Sequence, residues 1–598
     1  MNDRNTDYRG SLNLPQTDFP MQANLARREP ERLARWQSQD LYRQVQQATA
    51  GRPLYRLVDG PPYANGDLHI GHAVNKVLKD IVCKVARLDG HHAPFVPGWD
   101  CHGLPIELQV EKQHGKVGPK EQGRLDAARF RELCREYALS QIDRQRGDFK
   151  RLGVLADWDN PYLTMNPAFE AEQLRVLARI VENGHLVRGG RPVHWCLDCH
   201  SSLAEAEVEY QDKTSDAIDV AFEVVIPEDL IGSQRVAANA LAGAKFVIWT
   251  TTPWTLPGNQ AICVHPALAY ILADFGALGH LIVAEKLLEA CAARYGVPAP
   301  RVLQRFGGNE LYGFKARHPF AERTVSILLG EHVTLEAGTG LVHTAPAHGL
   351  DDYKVCRSDP HLPLSAFDSP VGDDGCFVAG TPLVAGVHVC KADAPIIDAL
   401  RERGALVHHS TVSHSYPHCW RHKTPLIFRA TRQWFIAMDA AGLRARALEA
   451  IGNTKWIPGW GENRIREMVA GRPDWCISRQ RYWGVPLAFF LRKGPDDLFD
   501  PDEYTEWNLS KRVWHLSSPA EEERRRKRAQ TFTAATLRRV ADAVEHEGAN
   551  AWFEAVEAWA RGDGSGLHRF LPEHLHAALD ARVIEPARDT LDVWFDSG

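Results

Sequence analysis

The chain of 598 residues is too long for one hydrophobic core, and at roughly 100 to 200 residues per unit it reads as three to five domains. Its 44% hydrophobic and 24% charged content excludes global disorder, and a net charge of -6 excludes an overall basic field, so any nucleic-acid contact has to come from local Arg and Lys patches. The opening MNDRNTDYRGSLNLPQTDFP lacks a basic-then-apolar leader, no run of about 18 apolar residues occurs, and 12 thinly spread cysteines make no disulfide framework; the expectation is a cytoplasmic protein with reduced thiols and no membrane contact.

Residues 1–50 read as an N-terminal extension and residues 51–192 as the first half of an α/β nucleotide-binding domain. Leu54 to Val58 has the texture of a short buried strand, stopped by Asp59-Gly60-Pro61-Pro62. Behind that turn Ile70, Val74, Val77, Leu78, Ile81, Val82, Val85 and Leu88 recur at helical spacing, which predicts a helix with His69 and His72 in its first turn. Histidines at i and i+3 share one helical face beside unpaired backbone N–H groups and the positive dipole end, where a phosphate chain is favoured. Gly71 between them leaves room for a base or ribose to approach the backbone. Taken alone, such a pair is also what chance or an ordinary helix start produces.

Residues 120–155 are charged and helical in pattern, and VHWCLDCH at 193–200 then opens a stem over 193–209. Between 210 and 410 the chain turns rich in Val, Thr, Gly and Pro, with β-type runs at 246–252 and 339–344, so this stretch is expected to be a mostly β domain inserted into the first. Thr250, Thr251, Thr252 and Thr255 follow a strand and lead to Asn259, clustering hydroxyls and an amide at one mouth, although three threonines are also an ordinary strand face. SYPHCWRHKTPLIF at 415–428 and WCISRQRYWGVP at 475–486 return the chain to the first domain over 411–489. A second, more helical insertion occupies 490–587, and 588–598 begins a further segment. The run EEERRRKR at 521–528 reads as a solvated helix face without a role.

Cys196 and Cys199 form C-x2-C just before the β insertion, and Cys419 and His422 form C-x2-H just after it. Three thiols and an imidazole suit a closed tetrahedral structural Zn2+ that staples the two stems; a redox pair and unmetallated thiols are the alternatives, and His200, His414 and His418 are the substitute ligands.

PPYANGDLHIGH at 61–72 resembles the HIGH signature of class I aminoacyl-tRNA synthetases. LNLPQTDFPMQANL at 12–25, DGPPYANGDLHIGH at 59–72, GWDCHGLPIE at 98–107, GRPDWCISRQRYWG at 471–484 and DTLDVWFDSG at 589–598 look like the isoleucine–tRNA ligases, so the resemblance spans nearly the whole chain. It implies an α/β class I synthetase fold, a Rossmann-like nucleotide-binding domain (first half) with a large inserted β-rich editing domain and a smaller helical insertion. By the same resemblance His69 and His72 hold ATP, brought with Mg2+, and stabilise charge on its α-phosphate, with Pro62, Tyr63, Asn65, Gly66 and Gly71 completing that site. Asp100 would bind the α-ammonium of L-isoleucine, and Gly60, Pro61 and Trp483 would wall its side-chain pocket. One methylene is worth only about 1 to 3 kcal/mol, so valine is poorly excluded and a second sieve is needed, the isoleucine enzymes being the standard illustration. TTTPWTLPGN and GTGLVHTAPAHGLDDY resemble that sieve, with Asp352 gripping the ammonium of misacylated valine, His343 limiting pocket size, and His348 and Asp351 unassigned. The implied partner is the isoleucine tRNA. The sequence reaches WFDSG before the family's KMSKS loop, and LSKR at 509–512 is a poor substitute; the expectation is a separately encoded or missing C-terminal half and little isoleucine-dependent pyrophosphate exchange by this chain. A stand-alone editing hydrolase of mischarged tRNA and a non-catalytic tRNA-binding fragment are the alternatives.

Overall fold

The structure is a computed structural model that describes residues 8–13, 18, 22–118, 124–227, 238–360, 362, 367–492, 498, 501 and 519–597. LSKR at 509–512 lies outside the described residues. The chain divides into two units, Met1–Phe169 with Asp596–Gly598, and Glu170–Phe595.

The first unit opens with helices α1 (Leu25–Ser38) and α2 (Leu41–Thr49), followed by α3 (Ile70–Leu88), the short strand β1 (Gly98–Trp99), α4 (Leu104–His114), α5 (Ala127–Arg151) and β2 (Tyr162–Leu163), which pairs parallel with β1. The expected strand at Leu54 to Val58 is not formed. Only Leu54 is bridged, to His92, and Leu54, Tyr55 and Val58 are exposed, because one bridge gives the segment too few ladder hydrogen bonds to hold a strand. Helix α3 forms as its periodicity predicts, but His69 is its N-cap rather than part of its first turn. It also lies with its polar stripe inward: Lys76, Asp80, Cys83 and Arg87 are buried, whereas Val74, Leu78, Ile81, Val82 and Val85 face outward.

In the second unit α6 (Pro167–Glu182), whose first three residues still belong to the first, leads to β3 (Leu186–Cys196) and β4 (Ser201–Leu203). The long strand β5 (Val208–Val225) enters the insertion and β14 (Leu406–Cys419) leaves it, paired antiparallel along their length and running without a break across positions 210 and 410. Between them come β6 (Lys245–Thr250), β7 (Ala261–Val264), β8 (Ala269–Asp274), β9 (His280–Ala284), helix α7 (Leu288–Tyr295), β10 (Arg301–Gly307), β11 (Lys315–Arg317), β12 (Thr324–Leu329), β13 (Val342–Thr344), α8 (Leu350–Ser358) and α9 (Asp393–Glu402). The order β6-β13-β7-β12-β11-β5 returns to β6 through the β5–β6 pairing, so these strands close into a barrel that leaves no free edge among them. Strand β7, AICV, is buried at every position: Ile262 and Val264 join Phe222, Phe246 and Ile248 in the main core, and Ala261 and Cys263 pack with Leu328, Val333 and Cys356 on the other face. Each buried aliphatic side chain is worth about 1.5 to 3 kcal/mol.

After the barrel, β15 (Ile427–Ile436) pairs antiparallel with β3 at the centre of a four-stranded sheet that β4 and the strand Trp475–Cys476 complete. The helical part that follows is carried by α10 (Pro519–Glu547) and α11 (Asn550–Ala560), whose Leu537, Val540, Trp552 and Val556 share a core with Leu174 and Leu177 of α6. No helix among the described residues is long and apolar enough to cross a membrane.

Candidate functional site

The turn before α3 is held by backbone and by one buried glutamine. Ala64 N donates to Asp100 O at 2.8 Å and Asp100 N to Pro62 O at 2.9 Å, which ties the Pro-Tyr-Ala-Asn loop to the end of β1. Gln145 of α5 donates from Nε2 to the carbonyls of Tyr63 and Gly66 at 3.1 and 3.0 Å, and accepts from Trp99 Nε1 at 2.9 Å. Tyr137 donates its hydroxyl hydrogen to Asn65 Oδ1 at 2.7 Å, and Gly66 adopts φ +80, a left-handed conformation that suits glycine.

His69 and His72 form a reciprocal cap. His69 Nδ1 accepts from Gly71 N at 3.1 Å, His72 Nδ1 accepts from His69 N at 3.3 Å, and the rings stack with centroids 3.8 Å apart. Because both Nδ1 atoms accept, each ring carries its proton on Nε2 when neutral. Partial burial, then the neighbouring His69 and Lys76, lower the pKa of His72, so its neutral form prevails near pH 7. A Cβ at Gly71 would stand 2.9 Å from His69 Cε1, so the absent side chain keeps the stacked pair intact, a reason the sequence did not disclose.

Two pairings in this unit escape sequence reasoning. Asp59 is buried and holds both Lys76 and, at 2.6 Å, Lys79, while burial lowers the Lys76 pKa against the pull of Asp59. His102 Nδ1 lies 2.6 Å from Asp596 Oδ2, both side chains buried, which joins GWDCHG to WFDSG across nearly the whole sequence. Lys76 at i+4 from His72 was the one local signal; the other pairings are long-range and carry none. Gly60, Pro61 and the largely buried Asp100 belong to the first unit, and the buried Trp483 to the second.

The barrel brings most of the expected proofreading residues together. Thr250 ends β6, and β13 lies between β6 and β7, so the β6–β7 connection passes beside His343 of β13. Thr252 N donates to Thr250 Oγ1 at 3.1 Å, and the Thr255 hydroxyl donates to Thr252 O at 2.8 Å. That donation uses the only Thr255 hydroxyl hydrogen, so at 2.9 Å His343 Nε2 is the donor to Thr255 Oγ1. His343 Nδ1 then accepts from Asn259 Nδ2 at 2.7 Å, whose second hydrogen goes to Ala261 O at 2.9 Å. The ring is therefore neutral, and burial, reinforced by His318 and His348, lowers its pKa to about 3. Asn259 Oδ1 is buried without a hydrogen-bond partner among the described residues. Thr251, half-buried, stands outside this relay.

Asp352, in the first turn of α8, accepts from Ala345 N at 2.9 Å, two residues beyond His343. Burial raises its pKa to about 7, Ala345 N–H opposing and Asp351 adding to the rise. A Cβ at Gly349 would meet Asp352 Oδ2 at 2.9 Å. The unassigned His348 accounts for itself structurally: Nδ1 donates to Phe428 O at 2.9 Å, and the ring packs against Trp254.

Cys196, Cys199, Cys419 and His422 converge, their ligand atoms all within 4.8 Å of one another, and His422 Nδ1 lies 3.7, 3.2 and 3.6 Å from the three sulfurs. Spacings of this size on a Cys3His set match tetrahedral zinc. His200, His414 and His418 are engaged with Asp373 O, Ser215 and Tyr416 O and take no part in the cluster. The metal would be held by strands β3 and β14, at the point where the chain passes into and out of the barrel.

A helix capped by a histidine pair behind a Gly-Pro-Pro turn, followed by a closed barrel entered and left through the paired β5 and β14, defines a class I synthetase fold. Residues 31–562 match the family described as tRNA synthetases class I (I, L, M and V), and the chain belongs to it. It is similar to the isoleucine–tRNA ligase of Thioalkalivibrio sulfidiphilus, 52% identical over 593 residues, and to those of Alkalilimnicola ehrlichii and Nitrosococcus oceani, each 51% identical. In each case 99% of this chain is covered, and the chain spans 57% of the relative's length.

Proposed function

We propose that the chain serves the attachment of L-isoleucine to its tRNA through an isoleucyl-adenylate formed from ATP with Mg2+, in the cytoplasm, and that its barrel hydrolyses valine misattached to the same tRNA. In the first unit, His69 and His72 present Nε2–H groups at the N-terminus of α3, where ATP phosphates are favoured without proton transfer. Asp100 is assigned the amino-acid ammonium, and Gly60, Pro61 and Trp483 the side-chain walls.

The proofreading assignment rests on one observation: a neutral His343 wired on both ring nitrogens to Thr255 and Asn259, two residues from the backbone amide that holds Asp352. With both nitrogens engaged, His343 is suited to set the size of the cavity and not to move protons. Asp352, raised to about 7, ionises more readily once an ammonium sits against it, so a free α-amino group is both recognised and fixed. The Thr250, Thr252 and Thr255 hydroxyls supply the polar wall against which water meets the ester. Zinc held by Cys196, Cys199, Cys419 and His422 would fix the two stems and take no part in the reaction.

The test is deacylation of valine-charged isoleucine tRNA by this chain without ATP. Hydrolysis well above the spontaneous rate, falling at least tenfold in Asp352→Ala, is expected; no acceleration by the unaltered chain overturns the reading.

A further inference from the structure

Asp59 stands where the chain enters the Gly-Pro-Pro turn, and its side chain is fully enclosed. Two lysines of α3 share its carboxylate: Lys76 Nζ reaches Oδ2, and Lys79 Nζ reaches Oδ1 at 2.6 Å. The lysines lie at i and i+3 on one face of the helix, so a single anion serves both. Oδ2 also accepts from the backbone N–H of Gly98, the first residue of β1, at 3.3 Å. On the main-chain side the Tyr162 hydroxyl of β2 donates to Asp59 O, passing over Gly98, where a Cβ would meet the Tyr162 ring at 2.0 Å.

The two lysines differ in what else they hold. Lys76 is enclosed against the Phe95 and Phe149 rings, 5.6 and 5.5 Å from their centres, and ties α3 to the carboxylate. Lys79 keeps 18% of its side chain exposed and donates in addition to Gly60 O at 3.2 Å. The peptide between Gly60 and Pro61 has no N–H, because proline nitrogen carries no hydrogen, so the Gly60 carbonyl is the only group by which that peptide can be hydrogen-bonded. One ammonium therefore bridges a buried anion and this carbonyl. Glycine ahead of the proline has wide backbone freedom, which the bridge removes.

We propose that Lys79, braced by Asp59, is the positioning residue that fixes the Gly60–Pro61 wall and so sets how sharply the amino-acid pocket separates isoleucine from valine. The proposal rests on the reading of Gly60 and Pro61 as walls of that pocket. One methylene separates two ligands by about tenfold or more only against a wall that does not yield. Lys79 touches neither ligand; it acts through the carbonyl it holds.

The test titrates isoleucine, valine and ATP separately into the full chain by calorimetry, for the unaltered protein, Lys79→Met and Lys79→Arg. Methionine keeps the packing of the stem and removes the ammonium, while Lys76 remains as the counter-charge of Asp59. The unaltered chain prefers isoleucine by about tenfold or more, and Lys79→Met brings the preference to about threefold or less, chiefly by weakening isoleucine. ATP affinity and melting temperature hold, because the His69–His72 cap and the Lys76–Asp59 pair are untouched. Lys79→Arg still offers a cation to Asp59 and a donor to Gly60 O, and keeps most of the preference. No preference for isoleucine in the unaltered chain removes the amino-acid reading of the turn itself. An unaltered preference in Lys79→Met, or an equal loss of isoleucine, valine and ATP affinity, overturns the positioning role alone.

Discussion

Replacing Asp352 by asparagine separates what the residue does for stability from what it does for function. The carboxyl pKa stands at about 7 in the folded chain against an ordinary 3.8, chiefly through burial. The folded state therefore binds a proton more tightly than the unfolded state, and the stability difference accumulates as pH rises from 3.8 to 7. Below that window carboxyl and amide are equivalent; above it the ionised Asp352 is destabilising and the amide is not. About three pKa units at about 1.36 kcal/mol each set a ceiling near 4 kcal/mol, and solvent screening of a half-buried group lowers the expected gain to about 1–2 kcal/mol at pH 8. The side-chain amide oxygen introduced by Asp352→Asn can still accept from Ala345 N, so no buried donor is orphaned. Urea unfolding of both proteins at pH 5 and pH 8 measures this: the asparagine variant gains at both, and its gain at pH 5 is roughly a third of that at pH 8. Equal stability at pH 8, or a gain that shrinks as pH rises, would refute the burial argument. The same variant keeps its fold and loses the anion that grips the ammonium, so a more stable protein with slower deacylation is the combined signature.

Other outcomes follow from the same geometry. Gly71→Ala favours the helix by propensity but pushes the His69 ring away, so the melting temperature holds or rises while ATP affinity measured by calorimetry falls several-fold. His102→Ala removes the buried imidazole that faces Asp596 and lowers unfolding free energy by about 3 kcal/mol in urea titration. Protein purified without chelator carries one zinc per chain by atomic emission, and Cys419→Ser loses both the metal and several degrees of thermal stability. His343→Ala opens the space between Thr255 and Asn259, whose Nδ2 keeps its bond to Ala261 O, so isoleucine-charged tRNA becomes a substrate for deacylation.

What the sequence discloses is what repeats over short distances. The eight apolar positions from Ile70 to Leu88 define α3, and C-x2-C with C-x2-H defines a four-ligand set, since both are local patterns. The sense of α3 is not legible, because Lys76 and Asp80 turn inward only through tertiary partners such as Asp59, 17 residues before Lys76. Leu54 to Val58 has strand texture, yet texture alone supplies no neighbouring strand. Likewise the threonine run marks a mouth, but the tie from Thr255 to His343 spans 88 residues and exists only because β13 inserts between β6 and β7.

Single-turnover deacylation of valine-charged and isoleucine-charged forms of one tRNA, side by side with this chain, probes the size-sorting barrel most directly. The valine ester should be cleared at least tenfold faster, with the ratio collapsing in His343→Ala; equal rates for the two esters in the unaltered chain would contradict the account.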